Sequence, residues 1–65
     1  MYKRYFVKLL SNEYVELLNN DTIENLAPKA WFLRNTANGF SKLFVNVKYK
    51  NTDYLVHISN IIATN

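Results

Sequence analysis

His57 and Ser59 are the two side chains of this chain whose types could together perform nucleophilic chemistry. They sit two apart in an alternating, strand-like run, and such neighbours stand about 7 Å apart, too far for an imidazole to take a hydroxyl proton. Little else in the inventory supports catalysis. The sequence has one histidine, no cysteine, five scattered carboxylates and a single glycine, so neither an acid and base pair nor a glycine-rich phosphate loop can be assembled. No second ligand stands near His57 at a metal-binding spacing. The expectation is a protein that is not an enzyme and that carries no metal and no cofactor.

Recognition chemistry is better represented. In the run Lys42 to Lys50, KLFVNVKYK, Leu43, Val45, Val47 and Tyr49 share one face of an extended strand. Lys42, Phe44, Asn46, Lys48 and Lys50 share the other. Cations around an exposed ring are what a single-stranded nucleic-acid platform uses: charges follow phosphates and rings stack on bases, at about 1 to 3 kcal/mol per base. A return through Asn38-Gly39 would pair Trp31 with Asn46 and Leu33 with Phe44, bringing Trp31 and Arg34 to the same neighbourhood. His57 would lie across from Asn46. The expected site is therefore Lys42, Phe44, Lys48, Lys50, Arg34, Trp31 and His57, contacting nucleic acid. The same residues also fit a plain solvated face, with Phe44 and Trp31 covered from within the chain or by a second subunit. A third reading is a protein interface, since Phe44, Leu55, Trp31 and Leu33 on one face exceed what a soluble monomer leaves uncovered. Small phage and mobile-element proteins that act as inhibitors or adaptors offer an analogy of scale.

These residues need elements to hold them. Residues 42–58 predict a hairpin, because the alternation of the first half continues, with inverted parity, in Tyr54, Val56 and Ile58. The expected register sets Tyr49 against Tyr54, Val47 against Val56, Val45 against Ile58 and Lys50 against Asp53. A first hairpin is expected from residues 3–10 and 14–18, with Leu9 against Val15, Val7 against Leu17 and Lys8 against Glu16. Asp21 and Glu24 have capping-box spacing and predict one or two helical turns near 22–27, ended by Pro28. Residues 30–35 read as a strand because the run is short, aromatic and followed by Asn38-Gly39. A helix there would make the fold α+β (ββαββ). Beyond residue 60, Ile61 or Ile62 is expected to close the sheet against the first strand.

The fold class that results is mostly β: a small five-stranded antiparallel barrel-like sheet with one short helical turn and a core of Val7, Leu9, Val15, Leu17, Leu43, Val45, Val47, Val56 and Ile58. Its strands are expected near 3–10, 14–18, 30–35, 42–49 and 54–61. Five short strands in one 65-residue domain resemble SH3-like or Sm-like small barrels in style, without a motif specific to either. A chain of this size buries only about 60% of its unfolded surface, and it has no disulfide to compensate. Its hydrophobic fraction of 49% points to a dense core or to self-association, so a homodimer through the Phe44 and Leu55 face or through a strand edge is expected.

Charge is arranged in blocks. Residues 13–24 hold four carboxylates and no base, whereas residues 25–52 hold five bases and no carboxylate, which makes the second region the basic surface within a net charge of +3. No segment approaches the roughly 18 apolar residues of a membrane span, and the basic start lacks a cleavage site. A cytoplasmic, non-membrane protein is expected. Ten asparagines beside many lysines and tyrosines suggest AT-rich coding, as in a low-GC bacterium or its phage.

Overall fold

The computed structural model describes residues 3–39 and 42–65. The N-terminal Met1-Tyr2 and the return through Phe40-Ser41 lie outside the described residues. The elements run β1 (Arg4–Lys8), β2 (Tyr14–Leu17), β3 (Thr22–Ile23), α1 (Pro28–Asn38), β4 (Phe44–Tyr49), β5 (Thr52–His57), a 3₁₀ turn (Ile58–Asn60) and β6 (Ile61–Thr64). The fold is mostly β, with two three-stranded antiparallel sheets in the orders β2-β1-β6 and β3-β4-β5. The described strands form no closed barrel, so the expected single five-stranded sheet is replaced by two sheets sharing one core.

Both hairpins form, each in a register two residues from the expected one. In the second, Val45 pairs with Val56, Val47 with Tyr54, Lys48 with Asp53 and Tyr49 with Thr52. The turn decides this. Lys50 and Asn51 both adopt left-handed backbone, with φ of 48° and 63°, and form a two-residue loop whose twist matches the flanking strands. In the first hairpin Tyr5 pairs with Leu17 and Val7 with Val15, leaving a wide loop after Lys8. A shift of two keeps every side chain on its face, so alternation alone cannot distinguish the two registers. Lys8 consequently faces Tyr14, and Glu16 instead takes two hydrogen bonds from Arg4, at 3.0 and 3.1 Å.

The segment expected as the third strand, 30–35, is helical. Pro28 stands in the first turn, where its missing N–H costs nothing, and no β-branched residue interrupts the run before Thr36. Pro28, Trp31, Phe32 and Asn35 form a continuous buried or half-buried stripe at helical spacing. Trp31 is 3% exposed and meets Phe32 edge to face at 5.0 Å, while Phe32 reaches Tyr5 at 5.2 Å. The aromatics read as strand formers are thus the core stripe of a helix. The expected helical turn at 22–27 is absent: Thr22 and Ile23 pair with Lys48 and Val47, and Glu24 and Asn25 turn the chain with positive φ.

The core consists of Tyr5, Val7, Leu17, Ile23, Trp31, Val45, Val47, Val56 and Ile61. Leu9, Val15 and Ile58 pack against it partly buried, but Leu43 is exposed because it lies in the bend before β4. The expected strand 54–61 is broken by the 3₁₀ turn, which redirects the chain from one sheet to the other. Ile61 then pairs with Val7 and Ile62 with Phe6, as expected of the last strand.

The helical placement of Trp31 has a measurable consequence. Trp31→Ala should cost about 3–5 kcal/mol in urea unfolding. Leu33→Ala, on the exposed side of α1, should stay within about 0.5 kcal/mol of the wild type.

Candidate binding face

Alternation along β4 and β5 turns Phe44, Asn46, Lys48, Asp53, Leu55 and His57 to one side, away from the core. Cross-strand pairs organise this face: Phe44 opposes His57, Asn46 opposes Leu55, and Lys48 opposes Asp53. The Phe44 and His57 rings meet edge to face with centroids 5.0 Å apart. Diagonally, Asn46 Nδ2 donates to Asp53 Oδ1 at 3.2 Å. The face divides into an apolar end and a charged end. At the apolar end Phe44 is 51% exposed and Leu55 76%. At the charged end Lys48 lies between Thr22 and Asp53 on the neighbouring strands.

Two carboxylates hold the strands beneath this face. Asp21, 5% exposed, accepts the backbone N–H of Leu18 through Oδ2 at 2.7 Å and that of Lys50 through Oδ1 at 3.0 Å. It ties the exit of β2 to the turn between β4 and β5. Glu24 accepts the Asn46 N–H through Oε2 and the Lys42 ammonium through Oε1, each at 2.7 Å. The Asn46 N–H, followed by the Lys42 ammonium, holds the Glu24 carboxyl below its ordinary value. Both residues were expected to cap a helix. Their spacing serves a strand junction instead, because the carboxylates find unpaired N–H groups on a distant hairpin.

The expected site residues are only partly brought together. Phe44, Lys48 and His57 lie on one face, with Lys42 before β4 and Lys50 in the turn at its other end. Lys42 is paired with Glu24, and Lys50 Nζ lies 5.4 Å from the Tyr49 ring centroid. Trp31 is in the core beneath α1, so no aromatic platform with Asn46 forms. Arg34 stands on the exposed side of α1, not on a strand paired with β4. Leu55, expected here as part of a protein interface, lies on the face, and Asp53 completes it without having been expected as a site residue. The parity of β5 already placed Asp53 and Leu55 there.

His57 and Ser59 are closer than a continuous strand would allow. The 3₁₀ turn brings Ser59 Oγ to 2.9 Å from His57 Nδ1, which also accepts the Ser59 backbone N–H at 3.1 Å. The expected 7 Å separation is therefore overturned. The ring nitrogen has one in-plane lone pair, which the Ser59 backbone N–H and hydroxyl both approach, so that the imidazole caps the 3₁₀ turn. Among the described residues no three His, Cys, Asp or Glu side chains gather as a metal site, and no helix is long and apolar enough to cross a membrane. A hollow of about 480 Å³ lies beside Leu18, Asp21, Tyr49 and Lys50, and its one carboxylate is the doubly bonded Asp21.

Comparison with protein-family models, with curated proteins and with solved structures gives no match for this chain.

Removing the Asp21 carboxylate leaves two N–H groups without their acceptor. Asp21→Ala should cost about 2–4 kcal/mol in urea unfolding. Acid should act through Glu24. Its carboxyl is easier to protonate in the unfolded chain, so its stabilisation is present above the ordinary value of 4.5 and is lost as pH falls through the lower folded value. Thermal unfolding between about pH 6 and pH 3 should therefore show a smaller loss for Glu24→Gln than for the wild type.

Proposed function

We propose that this protein is a non-enzymatic binding module that docks on a partner protein through the outer face of β4 and β5, acting as an inhibitor or adaptor. The observation that supports this reading most is the apolar end of that face, where Phe44 and Leu55 are each more than half exposed. Adjacent large apolar side chains in water favour an interface, and a lysine rim is the usual border of one. The partner surface best suited to it is apolar at its centre and acidic at its border, where Lys48 and Lys50 would meet it.

Nucleic acid is the second reading, and the five bases of residues 25–52 favour it. Several features weigh against it as the first. Trp31 is withdrawn into the core, Lys42 is neutralised by Glu24, and Lys48 faces Asp53 across the hairpin. What remains on this face for stacking on bases is Phe44 beside His57.

Salt separates the two. Binding to a partner protein should persist from low to physiological salt after nuclease treatment, and Phe44→Asp should abolish it while leaving the circular dichroism unchanged. Binding to single-stranded DNA or RNA that weakens steeply over the same range, by about tenfold or more, would favour the nucleic-acid reading.

A further inference from the structure

The edge of β5 is the one surface whose backbone chemistry, side chains and surroundings all suit the same occupant. Among the described residues β5 is the outermost strand of its sheet, with β4 as its only partner there. Its pairing assigns which backbone groups point where. Asn46 directs its N–H to Glu24 and its carbonyl to the Glu24 N–H, on the β3 side, so Asn46 and Leu55 form a pair without mutual hydrogen bonds. The Ile58 N–H donates to the Leu43 carbonyl at 2.9 Å, which places the bonded pairs at the alternate positions. Asp53, Leu55 and His57 therefore turn their N–H and C=O groups outward, away from β4. The space beside them is a groove of about 200 Å³ bordered by Leu9, Leu10, Leu55 and His57.

We propose that this edge pairs with the same edge of a second copy, antiparallel about a two-fold axis at Leu55, joining two three-stranded sheets into one. This register sets Leu55 against Leu55 and Asp53 against His57 in both directions. Each of the three outward-pointing residues then exchanges both backbone groups with its opposite number. Registers centred on Tyr54 or Val56 leave one of those residues unmatched and place Asp53 or His57 opposite leucine. Registers offset by an odd number set the outer face of one copy against the inner face of the other.

The side chains complete the match. His57 Nδ1 accepts the Ser59 N–H, which leaves the proton of the neutral ring on Nε2, free in direction to donate. Asp53 has Oδ1 engaged by Asn46, and its second oxygen is the acceptor. Leu55, the most exposed side chain of the strand at 76%, is covered at the axis. A second copy supplies the acceptor, the donor and the leucine at the required spacing. It also removes an open strand edge, which would otherwise template unspecific pairing. This contact is made by the edge backbone and shares Leu55 with the face around Phe44, so Leu55→Pro, which removes an edge N–H, and Phe44→Asp, which alters the face, tell the two apart.

The experiment uses the whole chain in sedimentation equilibrium at up to hundreds of micromolar, with three single variants. Wild type should form dimer. Leu55→Pro removes an N–H that β4 does not use, and should weaken association by at least about tenfold while the hairpin remains. Leu55→Cys should form a symmetric disulfide under mild oxidation, because directly opposed positions lie about 5.5 Å apart between Cα atoms, within bridging range. The chain has no other cysteine to confuse the result. Phe44→Asp should dimerise like the wild type. A wild type that stays monomeric throughout overturns the proposal, as does a dimer that survives Leu55→Pro and fails to cross-link through position 55.

Discussion

The structure depends on one buried carboxylate. Asp21 sits where the chain leaves the first sheet, and its two oxygens accept N–H groups from segments far apart in sequence, at Leu18 and Lys50. A buried charge without partners would be costly, whereas one that satisfies two backbone donors stabilises the junction and the turn at once. The Lys50-Asn51 turn is conformationally demanding, with both residues at positive φ, and Asp21 holds one end of it. β3 is only two residues long, yet it stays in register on β4 because Asp21 and Glu24 bracket it with contacts to the same hairpin.

From that junction the rest of the architecture follows. The 3₁₀ turn at Ile58–Asn60 carries the chain back, so that β6 joins the first sheet while β5 stays in the second. The two sheets then share a core that their strands do not fill alone. α1 supplies the missing volume through Trp31 and Phe32, which explains why the largest aromatic of the chain is structural. A face built from what remains has Phe44 and Leu55 at one end and Lys48 opposite Asp53 at the other. Before it, Lys42 is held by Glu24, a carboxylate of the acidic segment that reaches into the basic one.

Several features were legible in the residues. The alternation in KLFVNVKYK and YLVHI placed Val45, Val47 and Val56 inside and Phe44, Lys48 and His57 outside, and the burial of these residues agrees. The isoleucines after residue 60 were legible as the strand that closes onto β1. The register was not, because a two-residue shift preserves every face and is decided by which pair of residues can adopt left-handed backbone. The capping-box spacing of Asp21 and Glu24 was read as local, although an N–H from a remote strand satisfies a carboxylate as well as one three residues away.

By itself, then, the sequence determined the mostly β character, the parity of β1, β2, β4 and β5 and the absence of cysteine, all properties that depend on residue type and near neighbours. Tertiary structure decided the rest. Whether residues 28–38 formed strand or helix turned on what the core lacked, since Trp31 and Phe32 suit either state and only the gap between the sheets selects the helical stripe. The cations that remain available, the distance between His57 and Ser59, and the strand edge left open were likewise set by contacts between segments. Such contacts depend on the geometry of the whole chain, and pairwise spacing along the sequence carries no record of them.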